Sequence, residues 1–366
     1  MPTRFQTKRL SSTIGKTIDA AINHELALSL LKQIADTPGP SQCLLYSRGR
    51  VIERVLNEHL RHHRSFRFVH DYQRTGNVAV MLGDKPSALF VAHADEISYL
   101  LQGEALDQEV PLVPFCNHKA KEEYPAVSLR YDPEGQRLKQ SASGSILSRG
   151  AASSPYLVLK EGRAEIGDRV IFDYPLIVGE DNLVYGKVDN AAGVTACLLA
   201  SIALTQLEPA EPIWFVFTDE EEGPADSNST FARGARRLVQ GTELPADTLC
   251  VVVDEYDMEP GTPLNKVLFS EKESMCRGNV VPPHLYTEFK EFVGHLQAWG
   301  IDIAENSGYV SRSDSPALME RFRNILLLGY SARNAHFDDG PPCTSLDAVV
   351  SLAKTIVWMA LALDLG

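Results

Sequence analysis

The hydrophobic residues fall into two kinds of pattern along the chain. Short continuous apolar runs are typical of buried strands, and apolar residues that recur every three or four positions are typical of helices. Strands are predicted over residues 88–92, 214–218, 249–253 and 324–328, and helices over 26–35, 50–60, 190–204, 230–240, 283–299 and 345–363. Strands that alternate with helices predict an α/β fold, with a mostly parallel sheet flanked by helices.

The segment 102–183 departs from this alternation. Proline, glycine and serine recur there, the strand-like stretches are short, and a long helical pattern is missing. This composition predicts a small inserted all-β domain, with a long lid of irregular loops as the alternative. We therefore expect residues 1–101 to form the first part of the α/β domain, 102–183 the insertion, and 184–366 the second part.

Composition limits the partners and the cell compartment. The 366 residues include 35 Lys and Arg against 48 Asp and Glu, for a net charge of −13, which argues against nucleic acid and anionic membranes as partners. The six cysteines are widely spaced without a CxxC pair, which favours reduced thiols in a cytoplasmic protein. The basic start, MPTRFQTKRLSSTIGK, predicts a loosely ordered arm, with an organelle transit peptide as the alternative.

Acidic and histidine residues follow the predicted strands directly. His93, Asp95 and Glu96 follow one strand, and the remaining candidates are Asp189, the run 219–222, Asp254 and His336. The carboxyl ends of parallel strands meet at one rim of the sheet, where ligands gather. Two carboxylates about 5 Å apart repel by roughly 3 kcal/mol at an effective dielectric near 20, so such a cluster needs cations or protons. A solvated acidic loop is the alternative for the run 219–222 taken alone.

The candidate ligands are too many for one catalytic zinc, which takes three protein ligands and leaves a position open for water. They suit two metal ions that share one carboxylate. Two such ions polarise a carbonyl and lower the pKa of a bridging water, while a further glutamate takes the proton. The pattern therefore predicts metal-dependent hydrolysis, and it leaves open which of the residues 220–222 ligate and which acts as the base.

Five motifs resemble those of the co-catalytic dizinc aminopeptidases, above all the tetrahedral or glutamyl aminopeptidase family. In chain order they are HADEI, KVDNAAG, DEEEG, VVVDEYD and NAHFDD, and LLKQIADTPGPSQ and AEIGDRVIFD extend the resemblance over nearly the whole chain. The resemblance implies a zinc-exopeptidase-like fold that holds two divalent ions per subunit, zinc or else cobalt or manganese. It also implies a peptide substrate and a homo-oligomer, typically of twelve subunits.

The resemblance further implies a role for each candidate residue. The implied metal ligands are His93, Asp189, Glu221, Asp254 and His336. Asp189 would bridge the ions, His93 and Asp254 would complete one site, and Glu221 and His336 would complete the other. Each metal-bound histidine would need a partner for its second ring nitrogen, and Asp95 would orient His93 in this way.

The choice among the consecutive glutamates depends on the anchor. The family has Glu-Glu-X-Gly, and Gly223 as the anchor selects Glu220 as the general base and Glu221 as the ligand. Counting forward from the strand end at Thr218 selects Glu221 and Glu222 instead. We expect the glycine to decide, because it fixes the turn that presents the pair.

Two departures from the family bear on the substrate. Ser98 stands where the family usually has glycine, and Asn190-Ala191 follow Asp189 where the family has Asp-Arg. The second departure resembles the wider clan of dizinc exopeptidases and deacylases. An aminopeptidase acting on short peptides is the favoured function. An amidohydrolase of small N-acyl substrates and a catalytically silent peptide-binding scaffold are the alternatives.

Three further acids are candidates for contact with the substrate. An aminopeptidase must hold a positively charged N-terminus, and Glu255 or Asp257 beside the predicted site could do so. Asp314 precedes the last predicted strand and is either a residue on the substrate side or a simple turn residue.

Overall fold

The fold is described from a computed structural model. It describes residues 4–7, 10–60, 63, 66–103, 108–116, 120–148, 155–207, 209–224, 232–272, 278–306 and 313–363. The α-helices within these residues are α1 Ser12–Ala21, α2 His24–Ala35, α3 Arg48–Leu60, α4 Ala191–Leu204, α5 Arg233–Gly241, α6 Pro283–Ala298, α7 Ser315–Leu318 and α8 Leu346–Ala362. The predicted helices overlap α2 to α6 and α8, and residues 230–231 of one prediction lie outside the described part.

The strands number seventeen in the described residues. They are β1 Phe66–Val69, β2 Val78–Leu82, β3 Ala88–His93, β4 Ser98–Leu101, β5 Glu109–Phe115, β6 Tyr124–Asp132, β7 Arg137–Leu147, β8 Tyr156–Gly162, β9 Arg169–Phe172, β10 Ile177–Val178, β11 Leu183–Tyr185, β12 Ile213–Thr218, β13 Leu249–Asp257, β14 Val267–Ser270, β15 Ile303–Glu305, β16 Asn324–Arg333 and β17 Cys343–Ser345.

The large sheet has the four predicted strands side by side at its centre. Its order is β1-β2-β12-β3-β13-β16-β17-β11-β10, with β14 and β15 attached beside β16. The central strands β12, β3, β13 and β16 run parallel, and the strands at the margins pair antiparallel. Every residue of β3 and β12 is buried, as expected for strands covered on both faces. Helix α4, buried along its whole length, packs on the sheet beneath α2 and α8.

The segment between β3 and α4 contains a closed barrel of six strands, in the order β4-β5-β8-β7-β6-β9. The barrel has its own apolar core, which includes Tyr99, Leu157 and Phe172. The short strand-like stretches predicted in this segment, residues 126–131, 156–159 and 169–174, overlap β6, β8 and β9, whereas β10 and β11 belong to the large sheet. The α/β fold with a β insertion is thus confirmed, and we propose that this barrel is the inserted domain.

The start of the chain differs from the predicted loose arm. Helix α1 begins directly after Ser11, whose side chain accepts a hydrogen bond from the backbone of Ile14, and Ile18 is buried in the core. A side-chain cap of this kind satisfies a backbone donor that would otherwise lack a partner. The five described cysteines are free, and Cys276 lies outside the described residues. Of the helices that the structure describes, none is both long and apolar enough to cross a membrane.

Candidate metal centre

The rim at the carboxyl ends of the central strands gathers the predicted site residues. His93 is the last residue of β3 and lies opposite Thr218, the last residue of β12, in the parallel register. Asp254 lies near the end of β13. Parallel strands in register place the residues that follow them at the same edge of the sheet, which is why segments distant in sequence converge here.

Three of the predicted ligands form one cluster. The Nε2 atom of His93 lies 3.2 Å from Oδ1 of Asp189 and 3.4 Å from Oδ1 of Asp254. One ligand atom from each of the three residues lies within 4.8 Å of the others. Asp189 is placed by the start of α4, since the side chain of Asn190 accepts from the backbone of Gly193 and caps the helix.

A second cluster contains Asp189 again, with Glu222 and His336, and their ligand atoms also lie within 4.8 Å of one another. The Nε2 atom of His336 is 3.9 Å from Oε2 of Glu222. His336 lies in the loop after β16. Asp189 is therefore common to both clusters, the position expected of a bridging carboxylate.

The consecutive glutamates differ in their surroundings. Glu220 has a left-handed backbone, with φ of +57°. Its carboxylate is 2.9 Å from Nη2 of Arg237 and 3.9 Å from Nη1 of Arg233, outside both clusters. The backbone turns at Glu220, and of the three consecutive glutamates it is Glu222 whose carboxylate lies in the second cluster.

Glu221 is buried beside the first cluster. Its Oε1 atom has no hydrogen-bond partner among the described residues. Burial raises the pKa of Glu221 well above its usual value, and the negative charges of Glu222 and Asp254 add to the rise, although His93 opposes it. A carboxyl group in this setting takes up a proton readily, as a general base must.

Asp95 lies between His93 and the turn formed by Glu220, Glu221 and Glu222, which we call the glutamate turn. Its Oδ1 atom lies 3.5 Å from Nδ1 of His93. The same carboxylate accepts the backbone N–H groups of Glu221 and Glu222, at 3.1 and 3.2 Å, and the hydroxyl of Ser41 at 2.7 Å. Asp95 therefore holds the segment that contains Glu221 and Glu222 and lies beside Nδ1 of His93, which makes no hydrogen bond within the described residues.

The residues of the rim fit divalent metal ions. Burial and the charge of Asp189 raise the pKa of Glu222 well above its usual value, and its Oε1 atom is buried without a hydrogen-bond partner in the described part of the chain. Burial lowers the pKa of His93, but the charges of Asp254 and Glu221 outweigh it and raise that pKa overall. Carboxylate and imidazole groups packed this closely need cations, and both are ligands for zinc, cobalt and manganese.

The chain matches no protein-family model and no curated protein sequence. Solved structures do match over nearly its whole length. A TET aminopeptidase from a marine sediment archaeon of the Thaumarchaeota is 14% identical, with a TM-score of 0.74 over 93% of this chain and 97% of that one. The TET1 peptidase of Pyrococcus horikoshii is 17% identical, with a TM-score of 0.68 over 93% of this chain and 100% of that one. An endoglucanase from Thermotoga maritima is 16% identical, with a TM-score of 0.58 over 90% of this chain and 96% of that one.

The chain has the fold of the TET aminopeptidases. At the level of the fold, the resemblance seen in the motifs is confirmed. The TET fold alone does not assign the activity, because a structure described as an endoglucanase shares it. Histidines paired with carboxylates are nevertheless the ligand set of a metal site, whereas most glycosidases use a pair of carboxylates alone.

Within this TET fold, the segment before α3 braces the rim, a role that the sequence analysis missed. The backbone N–H groups of Gln42 and Leu44 donate to the carboxylate of Asp219, at 2.9 and 3.1 Å. These two bonds fix Asp219, the first acid of the run 219–222, directly before the glutamate turn. The breaker run DTPGPSQ was the signal, since its prolines and glycine predict a loop, but periodicity does not reveal what that loop contacts.

A buried ion cluster lies beside the rim. The Oε2 atom of Glu96 is 3.3 Å from Nζ of Lys187, and its Oε1 atom is 3.5 Å from Nη2 of Arg48 and accepts the backbone N–H of Gly39 at 2.6 Å. Glu96 thus connects the strand end at His93 with the segments that precede α3 and α4. Charges this deeply buried require partners, and here two cations surround one carboxylate.

Asp314 lies behind the rim, against the end of β12. It accepts a hydrogen bond from the hydroxyl of Thr218 and is almost fully buried. Burial raises the pKa of Asp314 to about 7. Asp314 also begins the short helix α7, since its carbonyl accepts the backbone N–H groups of Ala317 and Leu318 at 3.1 Å, so it is a buried residue at a turn.

Proposed function

We propose that this protein is a dinuclear-metal aminopeptidase that removes N-terminal residues from short peptides. One observation carries the proposal: two histidine–carboxylate clusters share Asp189, with the buried glutamate Glu221 beside them. The TET fold supports it, since two of the matching structures described above are a peptidase and an aminopeptidase.

We assign His93 and Asp254 to one metal ion and Glu222 and His336 to the other, with Asp189 shared by both. This assignment keeps four of the predicted ligands and replaces Glu221 by Glu222. Bound there, two divalent ions would polarise the scissile carbonyl and lower the pKa of bound water. Zinc is the proposed metal, with cobalt or manganese as alternatives.

Glu221 is the proposed general base in place of Glu220. Its Oε1 atom, buried without a protein partner in the described residues, accepts the proton of the attacking water and returns it to the leaving amine. Asp95 keeps Glu221 in place by accepting its backbone N–H at 3.1 Å, and its Oδ1 atom lies 3.5 Å from Nδ1 of His93, close enough to orient the ring once Nε2 binds a metal ion. Glu220 is less suited to this role, because its carboxylate is paired with Arg237.

The N-terminal ammonium of the substrate would bind near Glu255, which follows Asp254. Glu255 is buried, and burial together with the charge of Asp189 raises its pKa well above the usual value. A cation brought to this position lowers the cost of burying the carboxylate. Asp257, the other candidate, accepts the backbone N–H of Asn334 at 3.2 Å and is less suited to this role.

The assembly and location of the protein belong to the same proposal. The TET1 peptidase of Pyrococcus horikoshii is described as forming a tetrahedron or a large octahedral shell, and we propose a homo-oligomer for this chain, with a dodecamer as the candidate state. The net charge of −13 and the free described cysteines support a cytoplasmic peptidase without a nucleic-acid or membrane partner.

Metal content per subunit, paired with the release of amino acids from a mixed peptide panel before and after chelation, tests the function. We expect two metal ions and chelator-sensitive release from free N-termini, with N-acetylated peptides of the same sequence left intact. Cleavage of the acetylated set alone would indicate the amidohydrolase alternative. Absence of metal after reconstitution would overturn the proposal and favour the silent scaffold.

A further inference from the structure

The ligands that distinguish the two proposed metal sites lie on different parts of the molecule. His93 and Asp254, specific to the first site, lie on the central strands β3 and β13. Glu222 and His336, specific to the second site, lie on segments that follow β12 and β16. The residue directly after each of these two, Gly223 and Phe337, packs against the β-barrel.

Phe337 belongs to the core of the barrel although it lies outside the barrel strands. Its ring centroid is 4.1 Å from that of Phe172, 5.0 Å from that of Tyr124 and 5.9 Å from that of Tyr174. Its backbone N–H donates to the carbonyl of Asn334 at 2.8 Å, which closes a turn around His336. The barrel core therefore fixes the position from which the histidine reaches the rim.

Gly223 meets the barrel through the backbone. A Cβ atom added to Gly223 would lie 2.6 Å from the carbonyl oxygen of Phe115, the last residue of β5. Real Cβ atoms do not approach a backbone oxygen this closely, so only glycine allows the glutamate turn to lie flat against the barrel. This contact fixes the residue after Glu222.

We propose that the barrel positions Glu222 and His336, and thereby sets the metal affinity of the second site, while the central strands and the start of α4 set that of the first. The proposal rests on the proposed dinuclear site. Phe337 and Gly223 act as positioning residues, because each acts through its neighbour in sequence. Metal affinity is sensitive to such support, since removal of a residue that orients a ligand commonly weakens binding by about 10- to 100-fold.

The first test replaces the barrel contact of Phe337. In the metal-free full-length protein, Phe337→Leu removes the ring contacts and keeps an apolar side chain. In calorimetric titration with Zn²⁺, the dissociation constant of the second site is expected to rise about 10- to 100-fold, while that of the first site stays unchanged. The absorption spectrum of the Co²⁺-loaded protein is expected to lose the bands of one site only.

Leu157→Ala provides the matched control. Leu157 is buried in the same barrel core and lies opposite Val110 and Ile146 in the strand pairing. The substitution destabilises the barrel without removing the rings that pack on Phe337. We expect a lower unfolding temperature with both zinc affinities unchanged, which separates the positioning role of Phe337 from a general loss of stability.

The second test is independent of Phe337. Gly223→Ala introduces a Cβ atom that the backbone of Phe115 cannot accommodate, so the glutamate turn must shift. Gly294→Ala, on α6, is the control, because nothing lies within 4 Å of the added Cβ there. We expect selective loss of the second-site zinc affinity in the first variant and none in the second.

The outcomes separate this inference from the function on which it rests. A wild-type protein that binds fewer than two zinc ions overturns both. Two ions in the wild type, with unchanged affinities in Gly223→Ala and in any folded Phe337→Leu protein, overturn the inference alone. Equal weakening of both sites also overturns it, because the barrel contacts would then control the first site as well.

Discussion

The assignment of the general base can be tested by comparing two adjacent, chemically identical substitutions. Glu221→Gln removes the carboxylate proposed to take the proton, and Glu220→Gln removes the carboxylate paired with Arg237. General base catalysis contributes about 10²- to 10⁴-fold, or roughly 3–5 kcal/mol of transition-state stabilisation. We therefore expect kcat to fall by that factor in Glu221→Gln, with two metal ions retained because Glu221 is outside the proposed ligand set.

The expected effect of Glu220→Gln is one of stability. The ion pair joins a buried carboxylate to an arginine that is 39% exposed, at 2.9 Å. Solvent screens such a pair, so its loss is expected to lower the free energy of unfolding by about 1 kcal/mol or less. The value of kcat should stay within a few-fold of the wild type, since Glu220 lies outside both clusters.

The assay is steady-state hydrolysis of one peptide substrate, combined with metal analysis and urea denaturation of the same three proteins. Circular dichroism checks that each variant is folded. A large fall in kcat for Glu220→Gln with a nearly unchanged Glu221→Gln protein would refute the register that the structure favours. It would restore the one selected by counting back from Gly223.

Three further predictions follow from the buried groups. In metal-free protein Asp314→Asn should flatten the pH dependence of stability. The pKa of Asp314 is raised from 3.8 to about 7, so between these pH values the folded wild type binds a proton that the unfolded chain has released. The free energy of unfolding of the wild type is therefore expected to fall by up to about 4 kcal/mol as the pH rises through this range. Urea titrations in which the Asp314→Asn protein keeps the wild-type dependence on pH would contradict this. Ser41→Ala removes the hydroxyl that donates to buried Asp95 and is expected to lower the free energy of unfolding by roughly 1.5–3 kcal/mol. An unchanged urea midpoint would show that the Asp95 carboxylate does not depend on this hydrogen bond. Zinc at 100 times its dissociation constant should stabilise the protein by about 2.7 kcal/mol for each site, and calorimetric scans that coincide with and without chelator would exclude that linkage.

The central strands of the sheet could be predicted from sequence, because they depend on short local patterns of apolar residues. A continuous apolar run must be buried on both faces, and acids placed directly after several such runs converge at the rim of a parallel sheet. His93, Asp189, Asp254 and His336 were all identified in this way, and the structure brings them together. The closure of the barrel was not predictable from the same patterns, because it depends on pairing between strands far apart in sequence.

Sequence offered two registers for the glutamates, and the choice between them depends on contacts that no local pattern encodes. The left-handed backbone of Glu220 and the two backbone bonds from residues 42 and 44 to Asp219 decide which acids face the rim. Gly223 is used for a close contact with the barrel rather than for the spacing that the motif suggested. Asp314 was left undecided for a similar reason, since its partner Thr218 is 96 residues away in the chain.

The pairing of β4 with β9 places the first and last strands of the barrel side by side, with Tyr99 opposite Val170 and Leu100 opposite Arg169. The chain thus leaves the large sheet before the barrel and returns towards it after the barrel at nearly the same point. A larger or smaller insertion could therefore replace the barrel in evolution while His93 and Asp189 stay close together in space. His93 and Asp254 lie on the sheet and would keep their places in such an exchange, whereas Glu222 and His336 would have to be fitted to each insertion that takes the place of the barrel.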